Sequence, residues 1–357
     1  MQKISSGKFC IQFFVGLLSV LAIIGGVIFL IDPFYHYHTP ILGTKAYLYN
    51  QVYQTPGAAS HFEYDSAIVG TSMTENFRIS WFEEIGLNTM KLSYSGARCT
   101  DIRSVLDKVY ESENEIQYIM LDINDYQLTS KPEERFADLP EYLYDNVWWT
   151  DTQYLFNGDA FWMAAGRVLE AVTGNQPDLD NAYTWEDPTL FSEETIKIIY
   201  REDIRRLQEL MEKGEIEEYN EERFSQWEEN LNYIIPVIEA HPETQFVIFY
   251  PPYSVVYWEQ QLLSGRLDGL LDMYAASAKR LMQMENVRVY VFFGEKEIIS
   301  DLNNYRDYCH YSPQINRYIF ECIRDGENEM TEEKVDSYFE ELGDYIRQYP
   351  YEKIWEE

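Results

Sequence analysis

Cysteine is scarce: four residues in a chain of 357, none arranged as Cys-x-x-Cys. A structural zinc site wants paired thiolates and a small disulfide scaffold wants a dense, even set, so neither is supported. Cys10 falls in an apolar run. That leaves Cys99, Cys309 and Cys322 as an odd set in which one disulfide stays open. Basic residues are also few, with 28 Lys and Arg against 61 Asp and Glu and a net charge of -33. Only Lys3 and Lys8 precede position 32, and no acid does, so the rest of the chain is more acidic still. Such a body repels nucleic-acid phosphates and anionic headgroups, which sets nucleic-acid binding aside. Internal repeats and low-complexity segments are missing as well. What the chain does have is apolar surface: 46% hydrophobic residues, with 8 Trp, 30 Tyr and 19 Phe. That is enough for one large folded domain, or for a core domain carrying an insertion.

One stretch lacks charge altogether. From Phe9 to Ile31 no residue is ionisable except the thiol of Cys10. At 1.5 Å per residue a helix of this length crosses a hydrocarbon core of about 30 Å. A cleaved signal peptide is the rival reading, but its apolar core is usually shorter and no Ala-x-Ala-like site closes this run. An uncleaved anchor is expected. Lys3 and Lys8 sit before the span and no basic cluster follows it, so residues 1–8 are assigned to the cytoplasm and the body outside the cell. "DPFYHYH", Asp32 to His38, reads as an interfacial belt of Phe34, Tyr35 and Tyr37, with His36-x-His38 a lesser metal alternative.

Beyond a connector over 32–60, strands and helices alternate. Apolar, β-branched runs at 64–70, 88–96, 116–125, 244–253 and 287–294 predict five strands, the fourth stopped by Pro251-Pro252. Helical spacing follows the first strand through Phe82, then recurs over 97–112, 267–284, after Ser312 and over 332–348. Continuous apolar strands between amphipathic helices predict an α/β protein with a parallel sheet covered on both faces. The rhythm breaks over 127–241, read as a large, mainly helical and aromatic-rich insertion between 61–126 and 242–357. The aromatic stretch in it, Tyr142 to Met163, reads as insertion core more readily than as a sugar-stacking wall.

In open α/β sheets ligands bind beyond the carboxyl ends of the strands, so the residues there are the candidates. After the first strand stand Gly70, Thr71 and Ser72. Ser72 with Glu75 forms Ser-x-x-Glu, a capping box; a serine there also has free backbone N–H groups and a favourable dipole for a developing oxyanion. Gly96 follows the second strand, serving a turn or admitting a ligand to its N–H. Asn124 follows the third, placed for an Asx turn or to offer its amide. Late in the chain, Asp307-x-x-His310 supplies a base and the carboxylate that fixes its tautomer. As metal ligands these two want a third partner, and neither His61 nor His241 has ligand spacing. Cys309 is expected to point away from His310. Among nearby cations, Arg78, Arg98 and Arg103, we single out Arg98 as a binding candidate, against the alternative of a solvated helix arginine.

The order of these blocks resembles the SGNH (GDSL) hydrolase superfamily. The resemblance covers five short blocks over about residues 60–325, and it departs from the family at two points. The usual Gly-Asp-Ser-Leu reads Gly70-Thr71-Ser72-Met73, and the usual Gly-x-Asn-Asp has Asp122 in place of glycine. It implies a flavodoxin-like three-layer sandwich in which Ser72 is the nucleophile, His310 the base and Asp307 its orienting carboxylate. Ser72, Gly96 and Asn124 would form the oxyanion hole, with no metal or organic cofactor. With the N-terminal anchor and the insertion, the chain looks most like extracellular, membrane-anchored members that modify bacterial surfaces. These include the D-alanyl transfer protein of teichoic acids and exopolysaccharide O-acetylation proteins. An esterase or O-acyltransferase acting on an acylated cell-surface glycan or polymer is therefore expected, beside a membrane-bound O-acyltransferase. The alternative is a non-catalytic scaffold or glycan-binding partner in which Ser72 is only a cap.

Overall fold

The structure is a computed structural model; it describes residues 6–41, 43–136, 138–145, 147–174, 178–216, 219 and 221–355. Lys3 lies outside the described residues. The chain divides into two compact units, one of residues 1–62 and 139–179, the other of 63–138 and 180–357. The residues between the third and fourth strands are thus shared: 139–179 belong with the N-terminal segment, and 180–241 with the sheet.

The first unit is built around the apolar helix Ser6–Ile31, of which Gly7–Ile31 has a mean hydropathy of 2.8. Among the described residues it is the one helix long and apolar enough to cross a membrane. It stops at Asp32, which takes a positive φ of 44°. The buried Asp32 carboxylate accepts the backbone N–H of His36, Tyr37 and His38 and the Tyr154 hydroxyl, the last at 2.6 Å. One carboxylate thus satisfies four donors and folds the following residues back. Phe34 and Tyr35 are consequently buried, against the expectation of an interfacial belt, and Phe34 stacks on Tyr53 and Tyr154. His36 turns to Asp151 and His38 to the carbonyls of Phe29 and Thr39, so the two do not converge as a metal pair. The helix Gln51–His61 packs on the short helix Glu141–Tyr144, which meets Thr152–Leu155, and both Thr152–Leu155 and the longer Gly158–Thr173 pack on the apolar helix. The aromatic stretch splits here. Tyr142 and Tyr154 join the core with Ile28, Phe34 and Ala160, whereas Trp148, Trp149 and Trp162 are exposed.

The second unit is the predicted α/β body. Five strands, β1 (Ser66–Gly70), β2 (Thr89–Ser93), β3 (Tyr118–Asp122), β4 (Gln245–Tyr250) and β5 (Val287–Val291), form one parallel sheet in the order β2-β1-β3-β4-β5. Nearly every strand residue is buried, as covered parallel strands require. The order reverses between β1 and β3, and right-handed crossovers then put helices on opposite faces. On one face Cys99–Glu111 and Leu267–Leu281 both touch Glu221–Ala240. On the other, Ile79–Glu83 and Pro313–Asp325 meet through Phe82 and Phe320, whose ring centroids are 5.0 Å apart. The helix expected from Ser72 through Phe82 instead resolves into a 3-10 turn, Ser72–Thr74, and the short helix Ile79–Glu83. Thr71 and Thr74 explain the break. The Thr74 hydroxyl donates to the Thr71 carbonyl, competing with helical bonding, and accepts the Ser93 hydroxyl 2.7 Å away.

Candidate functional site

The carboxyl ends of β1, β2 and β3 bring the predicted blocks together. Gly70 ends β1 with a φ of 149°, and its carbonyl accepts the N–H of Tyr94, tying β1 to β2 at the rim. A Cβ on Gly70 would stand 2.1 Å from Asp122 Oδ1. Glycine here makes room for the carboxylate that the third block carries. Asp122, fully buried at the end of β3, accepts Thr71 N–H at 2.6 Å, the Thr71 hydroxyl at 2.7 Å and the Asn124 amide at 3.0 Å. Burial raises its pKa to about 6, with those three bonds pulling the other way.

Thr71, not Ser72, caps the 3-10 turn: its hydroxyl accepts Met73 N–H at 3.3 Å. The capping-box expectation for Ser72 with Glu75 is therefore corrected. Glu75 instead accepts the indole N–H of Trp185 at 2.8 Å. With the cap supplied by its neighbour, Ser72 Oγ lies 2.8 Å from His310 Nε2.

His310 sits in a loop fixed at several points. Tyr305 pairs with Tyr311, the Tyr305 hydroxyl donates to Pro252 O, and Ser254 Oγ donates to Tyr308 O. The following helix reaches back to the serine turn, where Asn316 Nδ2 and the Tyr311 hydroxyl both donate to Met73 O. Asp307 Oδ2 is 2.8 Å from His310 Nδ1, and Oδ1 accepts the backbone N–H of Cys309 and of His310. Burial pushes Asp307 up, but the hydrogen bond and charge of His310 outweigh it and hold the carboxyl at about 2. With Nδ1–H donated to that carboxylate, Nε2 is left to accept the serine proton.

Cys309 departs from the expectation that it points away. Its Sγ is 3.4 Å from both Asp307 Oδ1 and His310 Nδ1. The three side chains are the one group among the described residues with potential metal-ligating atoms within 4.8 Å of one another. Burial and the Asp307 carboxylate push the Cys309 thiol well above its ordinary value, so it is not an activated nucleophile. All four cysteines are free thiols, which closes the open disulfide.

Gly96 has a φ of 71°, and a Cβ there would meet the Phe136 ring at 2.6 Å. Asn124 fulfils the Asx expectation by accepting Gln127 N–H at 3.0 Å, capping the helix Asp125–Leu128. Its amide donates to Asp122, with Thr71 Oγ1 more distant at 3.4 Å. Ser72, Gly96, Asn124 and His310 all line one cleft of about 440 Å³. Arg98 does not line it. The Arg98 guanidinium stacks 3.6 Å over the Tyr126 ring and donates to Tyr126 O. Arg78 is committed to Glu186 and Arg103 to Asp107.

Sequence reasoning missed the walls of the cleft. Tyr253 and Tyr257 follow β4, Arg266 opens the next helix, and Tyr308 comes from the histidine loop. Gln260 and Gln261 also line it, and Gln260 Nε2 and Gln261 Oε1 are buried without a protein partner. The Pro251-Pro252-Tyr253 run at the carboxyl end of β4 was the available signal. Trp185 was missed too: its ring meets His310 edge-on at 5.8 Å, while Glu75 and Asn76 hold its indole and backbone N–H. No family model matches the chain, and comparison with curated proteins and with solved structures finds no match.

Proposed function

We propose that the second unit is a serine hydrolase or O-acyltransferase of the SGNH type. The observation that carries the reading is the unbroken relay from Ser72 Oγ to His310 Nε2 at 2.8 Å and from His310 Nδ1 to Asp307 at 2.8 Å. A serine within reach of a base that is itself oriented by a carboxylate is the constellation for nucleophilic acyl transfer. His310 takes the Ser72 proton as Oγ attacks the acyl carbon, and the imidazolium is stabilised by Asp307. The carbonyl electrons move onto oxygen, facing the Ser72 and Gly96 N–H groups and one hydrogen of the Asn124 amide. Collapse of that intermediate expels the alcohol, which takes the proton from His310 and leaves an acyl-enzyme. Water or an acceptor hydroxyl, deprotonated by His310, then attacks the acyl carbon, and Ser72 Oγ leaves with the proton returned from His310.

The strand order 2-1-3-4-5 supports a flavodoxin-like sandwich as the frame for this chemistry. The cleft favours a polyhydroxyl substrate, since its tyrosine walls and unpartnered glutamine amides suit sugar faces and hydroxyls. We take the helix Ser6–Ile31 as a single-pass anchor with the body outside the cell, residues 127–241 as an insertion in the SGNH-like body, and the substrate as an acylated surface glycan or polymer. A membrane-bound O-acyltransferase is the partner this arrangement would serve. The test is labelling of the full chain by a fluorophosphonate probe. Labelling should be present in the wild type and abolished in Ser72→Ala. A folded wild-type protein that does not label would instead make Ser72 a structural residue of a scaffold.

A further inference from the structure

Among the described residues, the first unit carries an exposed apolar face. On the helix Gly158–Thr173 the outward residues are Phe161, Trp162, Ala165, Val168, Leu169 and Val172. At 100° per residue these fall on one continuous arc, and that arc contains no charge. The inward side holds Ala160, Ala164 and Arg167, the last donating to the carbonyls of Lys45 and Tyr47. The polarity of a soluble helix is thus inverted. Trp162 is 73% exposed, Val172 79%, and Trp148, in the turn before the short helix Thr152–Leu155, 78%.

The depth of this face follows from what it packs on. Over Gly7–Ile31 only Leu21, Ile24, Gly25, Ile28 and Ile31 are shielded; these form one stripe at three- and four-residue spacing. The stripe covers the last ~15 Å of the helix, about half of a hydrocarbon core of ~30 Å. The shielding comes from 139–179. Leu155 and Phe156 lie within 4 Å of the Cβ position of Gly25, and Ala160 and Ala164 share a core with Ile28. If the N-terminal helix spans a bilayer, whatever packs against its second half stands at bilayer depth.

We propose that the outward face of the 158–173 helix lies against the hydrocarbon of the bilayer that the N-terminal helix spans, with Trp148 and Trp149 at its headgroup boundary. The segment 139–179 is then a membrane-embedded companion to the anchor, and the exposed tryptophans form the aromatic belt that Phe34 and Tyr35 do not. The proposal rests on the anchor and is independent of Ser72.

The test uses the full chain in phosphatidylcholine vesicles, with Cys10→Ser and Cys309→Ser removing the two thiols that are not buried. Nitroxide labels at Phe161→Cys and Ala165→Cys, on the turns that pack against Ile28, are compared with Val15→Cys in the anchor and Glu333→Cys on the second unit. Accessibility to oxygen severalfold above that to a water-soluble nickel chelate at 161 and 165, as at position 15, is the expected result. Nickel-dominated relaxation at 161 and 165, with position 15 still oxygen-dominated, would overturn the proposal and leave the anchor standing. Nickel dominance at all three would overturn both. Labels immobilised and shielded from both reagents would mean that protein, a second copy or a membrane partner, covers the face instead of lipid.

Discussion

Asp122 governs more of the site than its sequence position suggests. It stands where the resembled family has glycine, and its carboxylate grips the Thr71 backbone, the Thr71 hydroxyl and the Asn124 amide at once. Because burial raises its pKa to about 6, above the ordinary value near 3.9, protonation favours the fold. The stability it contributes is complete below about pH 4 and is lost as pH rises through about 6, amounting to about 3 kcal/mol by neutrality. Urea unfolding of the wild type and of Asp122→Asn across pH 4–7 should therefore show their stability gap shifting against the wild type by up to that amount. A gap independent of pH would contradict it. Gly70→Ala should cost about 3 kcal/mol in the same assay, since the new methyl meets Asp122 Oδ1 and the backbone keeps a positive φ. None of this was legible in the sequence. Apolar periodicity marks where β1 and β3 end, but not that a glycine in one hollows out space for a carboxylate in the other.

The elements themselves were far more legible. Each of the five strands is a short apolar run closed by Gly, Pro or Asp, and the helix Glu332–Gln348 keeps its spacing from end to end. The stretch after Ser72 was misread because Ser-x-x-Glu is a helix signal, whereas here threonine hydroxyls take the backbone bonds and Glu75 turns to Trp185. Ser72 and His310 are 238 positions apart and come within reach because the helix Pro313–Asp325 is tied to the serine turn. Asn316 makes that tie, donating to Met73 O at 2.8 Å. Asn316→Ala should cost about 1–2 kcal/mol, visible as a lowered melting temperature. It should also slow fluorophosphonate labelling more than the stability loss explains, because the relay loses a fixed edge. Unchanged labelling with the lowered melting temperature would confine Asn316 to stability.

The whole molecule is strongly anionic, and its buried lysine sharpens the consequence. Lys91, on β2, is 1% exposed and donates to the carbonyls of Glu75 and Ala182. Burial lowers its pKa to about 7, with Asp180 and Glu75 only partly offsetting the loss of water. A depressed lysine destabilises the fold while it must be charged, so this contribution improves as pH rises from about 7 towards 10. At fixed pH, a net charge of -33 predicts self-repulsion that salt relieves. The melting temperature should rise between about 20 and 200 mM NaCl, and a fall would show that attractive pairs dominate. Composition made the charge legible from the start. The division into units was not, because 139–179 joins the N-terminal segment through contacts that no local pattern encodes.

That division also determines how the protein can be cut. The chain crosses between its units at three places, near residues 62, 138 and 179. A protease that nicks the first crossing severs the N-terminal helix from β1, yet Ile28 and Phe34 remain in one core with Tyr142, Tyr154 and Ala160. The body would stay covalently joined to that core through the other two crossings. Separating the sheet unit from the N-terminal helix would take three cuts rather than one, so the two are joined by a clasp as well as by a leash.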